Sequence, residues 1–229
     1  MSKILFILTS HDRMLNGEAT GLWAEEHAVP YLAFTQAGHE VTVASMAGGR
    51  VPVDPKSKPA PEQAFAWKRA LDRLADTPAF DTLDDSAFDA VYLPGGHGTV
   101  FDLPYDKKLH DLLFRFEASG RVIAAVCHAP AVFAGMRRTD GTPFIAGRHV
   151  AAFTDAEERA VDGTEKVPFL LETRLKQLGA IHHAKADWTP NVIRDGRLVT
   201  GQNPQSSAAV AEQVLHLLSR RQVFETLAA

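Results

Sequence analysis

Val122-Ile123-Ala124-Ala125-Val126-Cys127-His128-Ala129-Pro130 sets the only cysteine of a 229-residue chain directly after an unbroken apolar run. Val122–Val126 shows no polar alternation, so it reads as a strand buried on both faces, the kind a parallel sheet requires. Ala129-Pro130-Ala131-Val132-Phe133-Ala134 reads as a helix start, with Pro130 where a missing N–H does no harm. Cys127 therefore falls on a sharp strand-to-helix turn, the geometry that exposes a nucleophile at a helix N-terminus. The positive end of the helix dipole is expected to lower the thiol pKa and make thiolate available near neutrality. A free cysteine is commonly just a small buried hydrophobe. The turn and the adjacent His128 weigh against that here.

Working outward, short apolar runs alternate with helical stretches, the rhythm of an α/β fold with a mostly parallel sheet covered by helices on both faces. The expected strands are 3–9, 40–45, 90–93, 122–126, 150–153, 180–185 and 197–200. The expected helices are 20–37, 106–118, 129–135, 167–178 and 204–218. Residues 49–88 break the rhythm. The Pro/Lys-rich stretch from Val51 to Pro61 cannot be a core element. The following 63–74 looks helical, with Phe65, Trp67, Leu71 and Leu74 as apolar contacts. The segment is too short to bury its own core, so a single domain spans 1–229 with a lid-like insertion at about 49–88.

Composition narrows the function. Hydrophobic residues make up 45% and charged residues 23%, as in a soluble globular protein. The formal net charge of −4, with scattered Lys and Arg, argues against nucleic-acid binding. The apolar run from Ile4 to Leu8 is too short for a membrane span. One cysteine forms no internal disulfide, and a cytoplasmic enzyme is the expectation.

Ligands in open α/β sheets bind beyond the carboxyl ends of the strands. Four segments should meet there. Besides the Cys127 turn, Leu93-Pro94-Gly95-Gly96-His97-Gly98-Thr99 brings glycines whose N–H groups, with that of His128, suit an oxyanion hole. It lacks the spacing of a phosphate-gripping loop. Glu25 and Glu26 fall in a first helical turn; Glu26 is taken as the inward one, although position alone does not decide. Thr154-Asp155-Ala156-Glu157-Glu158 offers a carboxylate to orient His128, or a charged loop. Ten histidines raise the question of a metal, but no HExxH or CxxC spacing occurs, and none is expected.

These segments resemble one family. The quoted Cys127 and Gly96 motifs, Thr20-Gly21-Leu22-Trp23-Ala24-Glu25-Glu26, Phe153-Thr154-Asp155-Ala156-Glu157-Glu158, Leu198-Val199-Thr200-Gly201-Gln202-Asn203-Pro204 and Val51-Pro52-Val53-Asp54-Pro55 are similar to the ThiJ/PfpI superfamily. Its fold is flavodoxin-like, of the class I glutamine-amidotransferase type. The resemblance is to the branch of heat-inducible chaperones and glutathione-independent glyoxalases (glyoxalase III). It implies Cys127 as nucleophile, His128 beside it, Glu26 as the proton shuttle on the thiol and Glu158 as the acid behind His128, with Glu157 close enough to compete. It further implies oxyanion donors at Gly96 and His128, Trp188 as an aromatic pocket wall, no cofactor, a small reactive carbonyl substrate and a homodimer. The competing functions are a cysteine amidase or peptidase, a holding chaperone with possible deglycase activity, and a redox sensor that oxidises at Cys127.

Overall fold

The computed structural model describes the backbone of residues 1–227 and the side chains of residues 1–219. In chain order the elements are β1 (Lys3–Leu8), α1 (Ala24–Gln36), β2 (Glu40–Ser45), α2 (Pro61–Leu71), β3 (Ala90–Leu93), α3 (Thr99–Asp102), α4 (Lys107–Ala118) and β4 (Val122–Val126). There follow β5 (His149–Val150), α5 (Asp155–Ala160), α6 (Leu171–Gln177), β6 (Ile181–His182), β7 (Val192–Asp195), β8 (Leu198–Gly201) and α7 (Ser207–Leu227). The central sheet runs β2-β1-β3-β4-β8-β7. Its pairs are parallel except β7, which runs antiparallel to β8 at the edge. The crossover β1-α1-β2 steps one way across the sheet and β3-α4-β4 the other. Right-handed crossovers therefore put α1 and α4 on opposite faces. β1, β3 and β4 are buried almost throughout, as their apolar runs demand.

Several boundaries differ from the sequence expectation, each for a local reason. The strands expected at 150–153 and 180–185 shrink to two residues each and pair with one another outside the main sheet. Their remaining donors go elsewhere: Ala151 N–H to Thr200 Oγ1, Phe153 N–H to the Cys127 carbonyl and Lys185 N–H to Gln202 Oε1. The helix expected from residue 20 starts at Ala24, because Leu22 and Trp23 donate to Pro52 O and Gly95 O instead. The helix expected at 167–178 begins at Leu171. The 154–158 stretch is helical as α5, and β7 was not foreseen.

The 49–88 segment wraps the β2 edge and the start of α1. Ser45 N–H donates to Pro78 O, and Gly49 and Thr77 exchange backbone hydrogen bonds. Ser57 Oγ accepts the Ala24 N–H at 3.1 Å, so the Pro/Lys-rich loop satisfies a donor at the start of the helix that carries Glu26. Phe65 is not an apolar contact: it is 84% exposed, while Ala70 and Leu74 are buried and Trp67 is partly buried against the core. Phe65 and Trp67 therefore form no joint exposed patch.

His27, fully buried on α1, has its Nε2 2.9 Å from Ala70 O, while its Nδ1 has no partner. Burial pulls its pKa down from 6.5 to about 4, so the ring is neutral and Nε2–H is the donor. The unfolded chain binds this proton more readily. Stability is thus expected to fall as pH drops from about 6.5 to about 4. His27→Gln keeps a donor for Ala70 O without a titrating group. It should lower Tm at neutral pH yet flatten that acid limb; parallel Tm–pH curves for variant and wild type would contradict the assignment.

Candidate active site

At the carboxyl ends of β1, β3 and β4 the chain assembles one constellation. Cys127 has φ of 60°, a left-handed conformation that costs a residue with a Cβ roughly 1–3 kcal/mol. Its backbone is held from both sides, N–H to Gly201 O and carbonyl from Phe153 N–H, each 2.9 Å. The strained turn foreseen from the sequence is present, but the helix after it is a six-residue 3-10 helix, Ala129–Ala134. So short a helix offers few aligned peptide dipoles to the sulfur.

The expected lowering of the thiol pKa is overturned. Cys127 is 3% exposed, and burial pushes its pKa well up, followed in size by the nearby Glu26. The Gly96 N–H bonded to the sulfur works in the opposite direction but does not prevail. The resting group is a protonated thiol. Its sulfur lies 3.2 Å from His128 Nδ1.

Glu26, not Glu25, is the inward carboxylate: Glu26 is 0% exposed, whereas Glu25 is half-buried. Glu26 Oε2 accepts the Gly95 N–H at 2.7 Å. Oε1 has no well-formed hydrogen bond, although the carboxyl interacts with the Cys127 thiol. Burial dominates and raises the Glu26 pKa from 4.5 to about 8; the Cys127 and Gly95 contacts only partly offset it. At neutral pH Glu26 is therefore a neutral acid beside a neutral thiol. Gly95 is required for this approach, because a Cβ there would lie 2.5 Å from Val126 O, 2.7 Å from Glu26 Oε2 and 2.9 Å from His128 N. Gly96, at φ of 105°, would collide with Gly21 O.

Glu158 is the acid behind His128. Its Oε2 lies 2.7 Å from His128 Nε2 and its Oε1 2.8 Å from His97 Nε2. Burial would raise the Glu158 pKa, but the His128 and His97 contacts outweigh it and hold the carboxyl well below the usual range. His128 itself is pulled down by burial and by His97, so its ring is neutral. An ionised Glu158 then fixes the His128 proton on Nε2 and leaves the Nδ1 lone pair facing the thiol. Glu157 has a different place: it closes a capping box with Thr154 at the start of α5.

His97 was missed as a side chain because 61 residues separate it from Glu158 in sequence. Its ring packs 4.1 Å from that of His128, which lies 4.3 Å from Phe153; Trp188 is 5.8 Å from Phe153. His97, His128 and Glu158 also place three donor atoms within 4.8 Å of one another, a metal-type set that linear spacing did not flag. Within the trio, His97 Nε2, His128 Nε2 and both Glu158 oxygens are hydrogen-bonded.

The family model described as "DJ-1/PfpI family" matches residues 18–217. The chain belongs to the DJ-1/PfpI family. Among relatives in this family, it is 33% identical to the glutathione-independent glyoxalase HSP31 of Saccharomyces cerevisiae, over 94% of this chain and 98% of the yeast protein. The Francisella tularensis Rapid Encystment Protein 24 KDa is 30% identical, with a TM-score of 0.88 over 93% of this chain and 97% of its own. The crystal structure of glyoxalase III from Candida albicans superposes with a TM-score of 0.80 at 28% identity, over 94% and 96% of the two chains. The mostly parallel central sheet with its helices is the fold that the chain shares with these neighbours. Among the described residues, no helix is long and apolar enough to cross a membrane.

Proposed function

We propose that this chain is a cysteine-dependent glyoxalase that converts methylglyoxal or a related 2-oxoaldehyde to its 2-hydroxy acid, lactate, without glutathione. The observation that carries the reading is a thiol 3.2 Å from a histidine nitrogen whose ring is fixed by a carboxylate at 2.7 Å, with a protonated acid on the thiol's other side. That set can add sulfur to an aldehyde and move protons between neighbouring carbons. Two curated relatives of similar length carry the glyoxalase name, which supports the same reading.

In the proposed sequence the Cys127 thiol gives its proton to His128 Nδ1 as sulfur bonds to the aldehyde carbon C1. The oxyanion forms against the Gly96 and His128 N–H groups and takes the Glu26 proton. Glu26, now a carboxylate, removes the C1 hydrogen, while imidazolium His128 protonates the C2 oxygen to give an enediol. Glu26 then protonates C2, and His128 takes the C1 hydroxyl proton, leaving a thioester. Water adds to C1 and gives a proton to Glu26; sulfur leaves and recovers its proton from His128. The balance is one 2-oxoaldehyde plus one water to one hydroxy acid. The protein groups involved supply every proton transfer.

In an overall class this is a lyase of the glyoxalase III type, D-lactate dehydratase-like. We place it in the cytoplasm as a homodimer, in line with the family resemblance. Purified protein should release lactate from methylglyoxal in the absence of glutathione. Turnover of an amide or peptide panel, with none of methylglyoxal, would overturn the reading in favour of acyl transfer. Within it, Glu158→Gln removes the negative charge behind His128 and leaves one acceptor oxygen to serve two histidines. A fall in kcat of about 100-fold with little change in KM is expected. Steady-state rates within twofold of wild type would remove Glu158 from the mechanism.

A further inference from the structure

Glu157 is a fully buried carboxylate that the proposed chemistry does not use. A helix-capping glutamate needs only one of its oxygens and no burial, and burying a carboxylate is costly unless it is well hydrogen-bonded. Here Oε2 takes the capping partners, Thr154 N–H at 3.1 Å and Thr154 Oγ1 at 3.2 Å. The other oxygen reaches across to two distant segments. Oε1 accepts the Trp188 N–H at 2.9 Å and the Asn203 Nδ2 hydrogen at 2.8 Å. Asn203 Nδ2 also donates to Thr189 O at 3.0 Å, so the carboxylate and the residue after Trp188 are tied together.

The residue held in this way is conformationally expensive. Trp188 sits at φ of 61°, a left-handed backbone that a bulky side chain adopts only when its surroundings enforce it. The two ends of its loop are fixed separately: Lys185 N–H donates to Gln202 Oε1 at 2.9 Å, and Asn191 Nδ2 donates to His183 O at 2.9 Å. Glu157 holds the stretch between them. The Trp188 ring meets Phe153 at 5.8 Å, and Phe153 packs on His128 at 4.3 Å. Trp188 nevertheless remains 40% exposed, an indole only half covered by protein next to the reacting centre.

We propose that Glu157 is a positioning residue that clamps Trp188 as the aromatic outer wall of the Cys127 site, and that this wall favours 2-oxoaldehydes bearing an aryl substituent over those bearing a methyl group. The substrate half rests on the glyoxalase reading; the clamp does not. One turn of α5 then serves two purposes, since Glu158 orients His128 and its neighbour sets the wall.

Two measurements test this: acrylamide quenching of Trp188, read as the difference from Trp188→Phe to remove Trp23 and Trp67, and the kcat/KM ratio of phenylglyoxal to methylglyoxal. Glu157→Ala should raise the accessibility of Trp188 and lower the ratio about tenfold, a size in keeping with one lost aromatic contact. Glu157→Gln keeps an Oε1 acceptor and should stay within twofold of wild type. Thr154→Ala removes the hydroxyl on the cap side of Glu157 and leaves both Oε1 contacts, so it should lower Tm and leave the ratio unchanged. Trp188→Ala should match the tenfold loss, and it tests the wall even if Glu157→Ala does not fold. Unchanged quenching in Glu157→Ala, an unchanged ratio in Trp188→Ala, or a Thr154→Ala ratio that falls as far as that of Glu157→Ala each overturns the proposal. Freed Trp188 in a protein that turns over neither 2-oxoaldehyde overturns the substrate half and the glyoxalase reading, while the clamp stands.

Discussion

Cys127→Ala is expected to lower methylglyoxal turnover by at least about 10⁵-fold, the scale seen when a covalent nucleophile is removed and only binding and oxyanion contacts remain. Nothing else in the site can replace it, because it is the only cysteine in the chain. The fold should survive. The turn is held through the backbone, by Gly201 O and Phe153 N–H, and alanine meets the same φ of 60° at similar cost. A Tm within a few degrees of wild type, together with lost lactate release, is the expected pair of results. Substantial turnover in a folded Cys127→Ala would remove the sulfur from the mechanism.

Glu26→Gln separates activity from stability. The variant keeps an oxygen for the Gly95 N–H but cannot carry a proton between C1 and C2, so a fall of about 10³-fold in kcat is expected. Stability should move the other way. The folded pKa of about 8 lies above the ordinary 4.5, so between these values the folded protein holds a proton that the unfolded chain has released. The stabilising contribution is fully present below about pH 4.5 and is lost as pH rises through about 8. The accumulated effect is of the order of a few kcal/mol for a group so deeply buried. Relative to Glu26→Gln, wild type should therefore lose Tm steadily from about pH 5 to pH 9. Because the acid form is the working form, wild-type kcat/KM should also decline above about pH 8. A Tm difference between the two proteins that is flat across this range would contradict a protonated Glu26.

Much of this was legible in the residues because the governing signals are local. The β4 run and the Pro130 helix start define the turn at Cys127, and the glycines after β3 mark a close backbone approach. Glu158 was harder, since Glu157 lies one residue away and only the turn of α5 shows which carboxylate faces His128. Thr154 and Glu157 in fact carry a capping-box spacing, which identifies α5 as a helix rather than a charged loop. Asp195-Gly196 likewise carries a hairpin signal for β7 and β8, with Gly196 at φ of 61°. What local pattern does not carry is long-range burial. The thiol pKa was read from a helix dipole, yet its direction is set by desolvation and by a carboxyl 101 positions away in the chain. His97 reaches Glu158 only because β3 and α5 meet at one end of the sheet.

The most direct test of sulfur-dependent proton transfer is the product formed from methylglyoxal in D₂O without glutathione. Wild type should release lactate whose C2 hydrogen is the one that buried Glu26 took from C1, so that little deuterium enters C2, and Cys127→Ala should release no lactate. Lactate fully deuterated at C2 would contradict transfer from C1 to C2 by buried Glu26, and equal release by the variant would contradict the role assigned to Cys127.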